Sequence, residues 1–149
     1  MSLVGVMDAL ATHIETTLCG PTPVIEQLQV CNELMPNPTL PCIDIYPHEE
    51  DFQEQVAYGA TKDSWMFRLR VRARVGTADN EGGQRLLLQM MDPGSTFSVY
   101  TTILANKTLG GAGLIKHCSG ADGYGMYPST WATPMTGHLG CEWVVLVEI

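Results

Sequence analysis

Arg68, Arg70, Arg72 and Arg74 stand at alternate positions, interleaved and flanked by Trp65, Phe67, Leu69, Val71, Ala73 and Val75. A strand turns successive side chains to opposite faces, so the pattern describes one strand with an apolar face and an arginine comb. Arginines two apart on a strand sit roughly 6.5–7 Å from one another. Each neighbouring pair repels by about 0.6 kcal/mol in water and about 2.5 kcal/mol at an effective dielectric of about 20. The four are half of the chain's eight lysines and arginines, in a protein of formal net charge −8. On a covered face they require carboxylates or a partner. Three answers are open: Asp44, Glu142 and Glu148 on neighbouring strands of the same subunit, an acidic loop of an adjacent subunit carrying Glu49, Glu50, Asp51 and Glu54, or nucleic acid in a channel. Only Met66 joins the arginines on their face of this strand, so it lacks the interleaved aromatics on which single-stranded bases stack.

Other chemistry is sparse. The best metal-ligand spacing is His138-x-x-Cys141, with His117 and Cys118 in the preceding strand. Structural zinc normally takes two such pairs at regular spacing, so surface histidines and core cysteines are the ordinary reading. No cysteine has a local histidine and orienting residue of the kind a nucleophile needs, and no G-x-S-x-G occurs. Gly110, Gly111 and Gly113 follow no strand and precede no Lys-Ser/Thr, which reads as a helix end with a tight turn and not a phosphate loop. Glu49, Glu50 and Asp51 are adjacent, a solvated acidic face or a docking patch for a basic partner. The expectation is a protein without catalysis, cofactor or metal.

The 149 residues suit a single domain spanning 1–149. Charged residues make up 16% of the chain, below the usual ~25%, which suggests that other subunits cover part of the surface. Net acidity argues against general binding to nucleic acid or to a membrane surface. No apolar run approaches the ~18–20 residues of a membrane span. The start, Met1 to Asp8, lacks a basic segment before its apolar residues, so no signal peptide is expected. Five cysteines without a C-x-x-C pair read as reduced thiols of a cytosol.

The elements that must position the comb follow from periodicity. Apolar residues at 3, 6, 7, 10, 14 and 18 predict a helix over Leu3–Leu18, capped by Ser2 and stopped by Gly20-Pro21. A strand is expected near 26–32, then an extended connection over Met35–Pro41 and a strand at Cys42–Tyr46 ended by Pro47. His48–Asp63 is acidic and poor in aliphatics, predicting a loop or projecting hairpin before the comb strand. Asp79 can cap a helix to about Met91, and Ser95 starts a second one through about Asn106. Strands follow around Leu114–Ser119, resumed at Tyr124–Tyr127, and at Glu142–Glu148, with an irregular turn over Pro128–Gly140. This is an α+β layout: a mixed, largely antiparallel sheet of about four to five strands with helices packed on one face.

End to end, the chain resembles the tail terminator (neck) proteins of long-tailed phages, especially those of actinobacteriophages. The residues that carry the resemblance are the opening Met1–Leu10, Pro41–Pro47, the alternating strand to Val75, Gln84–Asp92, Gly94–Tyr100, Thr108–Gly111, Tyr124–Tyr127 and Leu139–Trp143. Gln55–Asp63 and Pro128–Gly137 are longer than that pattern, and five cysteines depart from it. The resemblance implies a virion protein assembled in the host cytoplasm as a homohexameric ring on the tail tube. Such a ring terminates tube polymerisation and offers a surface to the head-completion (stopper) protein, while DNA passes its lumen unread. Another head–tail connector or minor tail ring protein is the nearest alternative. A small nucleic-acid-binding module using Arg68–Arg74 is the other. A ring needs a heterologous interface, which a basic strand (Arg68, Arg70, Arg72, Arg74) and acids (Asp44, Glu49, Glu50, Asp51, Glu54, Glu142) could serve. On that expectation, replacing Arg70 and Arg72 by Glu weakens assembly.

Overall fold

The computed structural model describes residues 2–20, 24–33, 40–48, 53–57, 63–76, 81–128 and 137–149. Helix α1 spans Leu3–Leu18, and the Ser2 hydroxyl accepts the Gly5 amide at 3.0 Å, satisfying one of the first-turn donors. Its buried residues Val6, Leu10, Ile14 and Leu18 recur at the helical period and form its core stripe. Among the described residues seven strands follow in one sheet: β1 (Gln29–Cys31), β2 (Cys42–Pro47), β3 (Gln53–Ala57), β4 (Asp63–Gly76), β5 (Leu114–Cys118), β6 (Asp122–Pro128) and β7 (Gly137–Glu148). Helices α2 (Glu81–Met91) and α3 (Val99–Leu104) lie in the chain between β4 and β5.

The sheet order is β1-β2-β4-β7-β5, antiparallel throughout except for the β1–β2 pair. β3 continues the lane of β2 along β4, since β2 pairs with Leu69–Arg74 and β3 with Asp63–Phe67. β6 likewise continues the lane of β5 along β7. Seven segments therefore occupy five lanes, and the two long central strands, β4 and β7, hold them together.

The sheet is apolar on the face that meets the helices. Ile43, Ile45, Leu69, Val71, Ala73, Trp143, Val145 and Val147 are fully buried there with Leu10, Ile14, Leu87, Met90 and Ile103 of the helices. The α+β class, the largely antiparallel sheet and the helices on one face are as the periodicity predicts.

Several boundaries differ. The strand expected near 26–32 is only three residues, at the sheet's edge. The acidic stretch is a hairpin in part, because β3 pairs with the start of β4; Glu49, Glu50 and Asp51 lie outside the described residues, as do Asp79 and 34–39. The second helix of the pair starts at Val99, not Ser95. Ser98 is its cap, accepting the Thr101 amide at 3.1 Å, while the Ser95 hydroxyl accepts the Phe97 amide and closes a local turn instead. The glycine-rich stretch is a 3₁₀ turn over Leu109–Gly111 in which Leu109, Gly110 and Gly111 all have positive φ. The last strand begins at Gly137, so part of the expected irregular turn is sheet. It pairs with β6 there, and Gly140 admits both neighbours: a Cβ on it would collide with the Ala73 carbonyl oxygen of β4 and crowd the Tyr127 ring of β6.

Candidate functional site: the arginine comb

Register decides what meets the arginines. Arg72 stands opposite Asp44 of β2 on one side and Glu142 of β7 on the other, so one row across the central lanes reads Asp44–Arg72–Glu142. Asp44 is fully buried. Its Oδ1 accepts Arg72 Nε at 3.0 Å and its Oδ2 accepts an Arg72 terminal nitrogen at 2.5 Å, a bidentate fork. The same Oδ2 accepts Arg74 at 3.3 Å. Arg70 reaches diagonally to Glu142, 3.1 Å away, and donates to His48 Nε2 at 3.0 Å. Arg74 is 1% and Arg72 8% exposed, so at this end of the sheet the comb is interior.

Aromatic rings complete the surroundings. The Arg72 guanidinium carbon lies 5.2 Å from the Tyr46 ring centre and 5.8 Å from that of Tyr127. Both distances lie within the range of cation–π attraction. These rings come from β2 and β6, which is why the comb strand alone gave no sign of them. Tyr46 follows Asp44 by two residues, so its place on the comb face was legible from alternation. Tyr127 reaches the face only because β6 pairs with β7, and its hydroxyl donates to the Gly123 carbonyl at 2.8 Å.

The electrostatics follow burial. Desolvation alone would lower the Arg72 pKa, but the hydrogen bonds and charge of Asp44 outweigh it and the net shift is upward. Burial pushes the Tyr127 phenol up, reinforced by Glu142. Burial also raises the Tyr46 phenol and the Cys42 thiol, with Arg72 and Arg74 respectively acting the other way. His138 is held below the ordinary imidazole value, by burial first and then by Arg74 and Arg72.

The structure thus brings five expected residues together on one face within the chain, with Arg72 and Arg74 held by Asp44 and Arg70 by Glu142. Arg68 is at the half-buried end of the comb, where its carbonyl accepts the His48 amide. Glu54 lies on β3 opposite Met66 in register. Glu148, an expected partner of the comb, pairs with Lys116 at 2.9 Å. Sequence reading missed His48 and Lys116 as partners on this face, because nothing in the residues around either marks it.

The weighed metal grouping is split by the pleat. His138 and His117 lie on the comb face, whereas Cys141 and Cys118 are in the core on the opposite face. Among the described residues no group of three or more His, Cys, Asp or Glu is placed to hold a metal ion. No described helix is long and apolar enough to cross a membrane. Comparison with protein-family models and with curated proteins finds no match to this chain.

Proposed function

We propose that this chain is a structural ring subunit of a phage neck, a tail terminator that caps the tail tube and presents a joining surface to the head. Support comes from the end-to-end resemblance, whose implied sheet-and-helix subunit has the α+β arrangement described above. The observation that favours a structural role over nucleic-acid binding is the burial of Arg72 and Arg74 on Asp44. A guanidinium committed to a carboxylate in the interior is not available to release counterions from a phosphate backbone. In this reading the comb stabilises the subunit that assembles, and DNA is passed unread.

The test is electron microscopy of the purified protein mixed with polymerising tail tubes. Rings on tube ends and arrested elongation are expected; tubes that grow on uncapped would overturn the reading. Binding to DNA that falls steeply with salt, at a stoichiometry independent of tubes, would favour the nucleic-acid module instead.

A further inference from the structure

Asp122-Gly123 is the only place in the chain where an aspartate or asparagine precedes a glycine. The pair opens β6, and both residues are exposed. The register with β7 breaks just after it. Asp122 stands opposite Glu142 and the next partners are Gly125 and Gly140, so β6 carries an extra residue here, as in a β-bulge. Gly123 has φ +65°, and a Cβ on it would collide with the Tyr127 hydroxyl, so both backbone and space require glycine. Asp122 Oδ1 accepts the Gly123 amide at 2.8 Å.

The ordinary reading of that contact is a short polar side chain closing a turn on its own backbone. The same contact also holds a carboxyl group against the one backbone nitrogen with which it can close a five-membered ring. Positioning of this kind is what speeds intramolecular reactions. Asp8 and Asp92 are exposed too, but neither has such a nitrogen. The Ala9 amide belongs to the hydrogen-bond ladder of α1, and the Pro93 nitrogen carries no hydrogen.

We propose that Asp122-Gly123 is a site of spontaneous covalent modification, at which the folded chain converts Asp122 to isoaspartate through a cyclic imide. The Gly123 nitrogen attacks Asp122 Cγ and a C–N bond forms. The Cγ–OH bond of the protonated carboxyl breaks, and the hydroxyl leaves with the amide hydrogen as water. Water then adds to either imide carbonyl. Opening at Cγ restores aspartate. Opening at the main-chain carbonyl frees an α-carboxyl and routes the backbone through the side chain, one methylene longer. Water is the only co-reactant. The product is a methyl acceptor for S-adenosylmethionine-dependent methyltransferases that esterify isoaspartyl carboxyls. The added methylene falls in the bulge, beside the Gly123 carbonyl that holds the Tyr127 hydroxyl at 2.8 Å. Isomerisation therefore loosens β6 and the Tyr127 ring beside Arg72. This chemistry is independent of the neck reading and is tested without tubes.

The experiment ages the full folded chain near neutral pH in heavy-oxygen water and maps its peptides by mass spectrometry. Each passage through the imide leaves one heavy oxygen on Asp122, and fragmentation separates isoaspartate from aspartate. Label at Asp122 is expected to exceed that at Asp8 or Asp92 by at least about tenfold. The aged chain should also accept methyl groups from S-adenosylmethionine when an isoaspartyl methyltransferase is added. Asp122→Glu keeps the charge at an exposed position but cannot close a five-membered ring, so it should lose both signals. Amides of β6 should exchange hydrogen faster in the isomerised chain than in the fresh one. Label at Asp122 no higher than at Asp8, label that appears only once urea has unfolded the chain, or signals that survive in Asp122→Glu would each overturn the proposal. Unchanged exchange along β6 would overturn the stated effect on Tyr127.

Discussion

Asp44 is fully buried and two guanidiniums depend on it in the interior. Removing one member of a buried ion pair strands the rest of its charge, which typically costs about 3–5 kcal/mol. Asp44→Ala is therefore expected to lose about that much stability in urea unfolding followed by circular dichroism; a loss within about 1 kcal/mol would mean that the network is not interior in solution. The same geometry changes what Arg72→Glu reports. A carboxylate there faces buried Asp44, so a variant with both Arg70 and Arg72 replaced by Glu fails in folding before assembly is tested. His138 gives a pH signature. Its folded pKa lies below the unperturbed value of 6.5, lowered by burial and by Arg74 and Arg72, so the folded state binds fewer protons than the unfolded state just below that pH. The stabilising contribution is complete above about pH 6.5 and is lost as pH falls through the folded pKa. Wild type should lose urea midpoint between pH 6.5 and 5 more steeply than His138→Gln; parallel curves would exclude the effect.

At the scale of elements, β7 is the strand on which the sheet turns, since it pairs with β4 along one side and with β6 and β5 along the other. Gly140 sits where β4 and β6 both approach, against the Ala73 carbonyl, the Tyr127 ring and the Arg74 stem. The constraint is steric, so any side chain must push a strand away. Gly140→Ala should destabilise the fold by roughly 1–3 kcal/mol, as overpacking commonly does, and should perturb Tyr127. A melting temperature equal to wild type would show that β6 does not pack there. The element boundaries that sequence misplaced have a shared cause. Ser95 and Ser98 are both credible caps, and only the turn closed by Asp92 and Ser95 decides that the helix waits until Ser98. Gly137–Gly140, the end of the irregular turn expected over Pro128–Gly140, is strand because β6 pairs with it.

Across the whole molecule, thiol accessibility follows the layering of sheet and helices. Cys42, Cys118 and Cys141 are buried, whereas Cys19 and Cys31 are partly exposed. Burial drives the Cys118 and Cys141 thiols up to about 12, and all five are raised above the ordinary value. A thiolate-selective reagent at pH 8 should therefore label Cys19 and Cys31 first, with the other three reacting only on unfolding. Fast labelling of Cys141 in the folded chain would contradict a closed core.

The alternation from Trp65 to Val75 determined by itself that one strand has an apolar face and an arginine face, because a pleat has period two wherever the strand lies. The spacing of Val6, Leu10 and Ile14 determined α1 in the same way, and together these fixed the α+β class. Which carboxylates answer the arginines was left open, since alternation orders residues along a strand but not across strands. The tertiary structure decided it by register: β2 sets Asp44 opposite Arg72, and β7 sets Glu142 on the other side. A shift of one residue in either strand would have turned those carboxylates into the apolar core. The comb is a feature of local sequence, and its partners are a consequence of pairing between segments far apart in the chain.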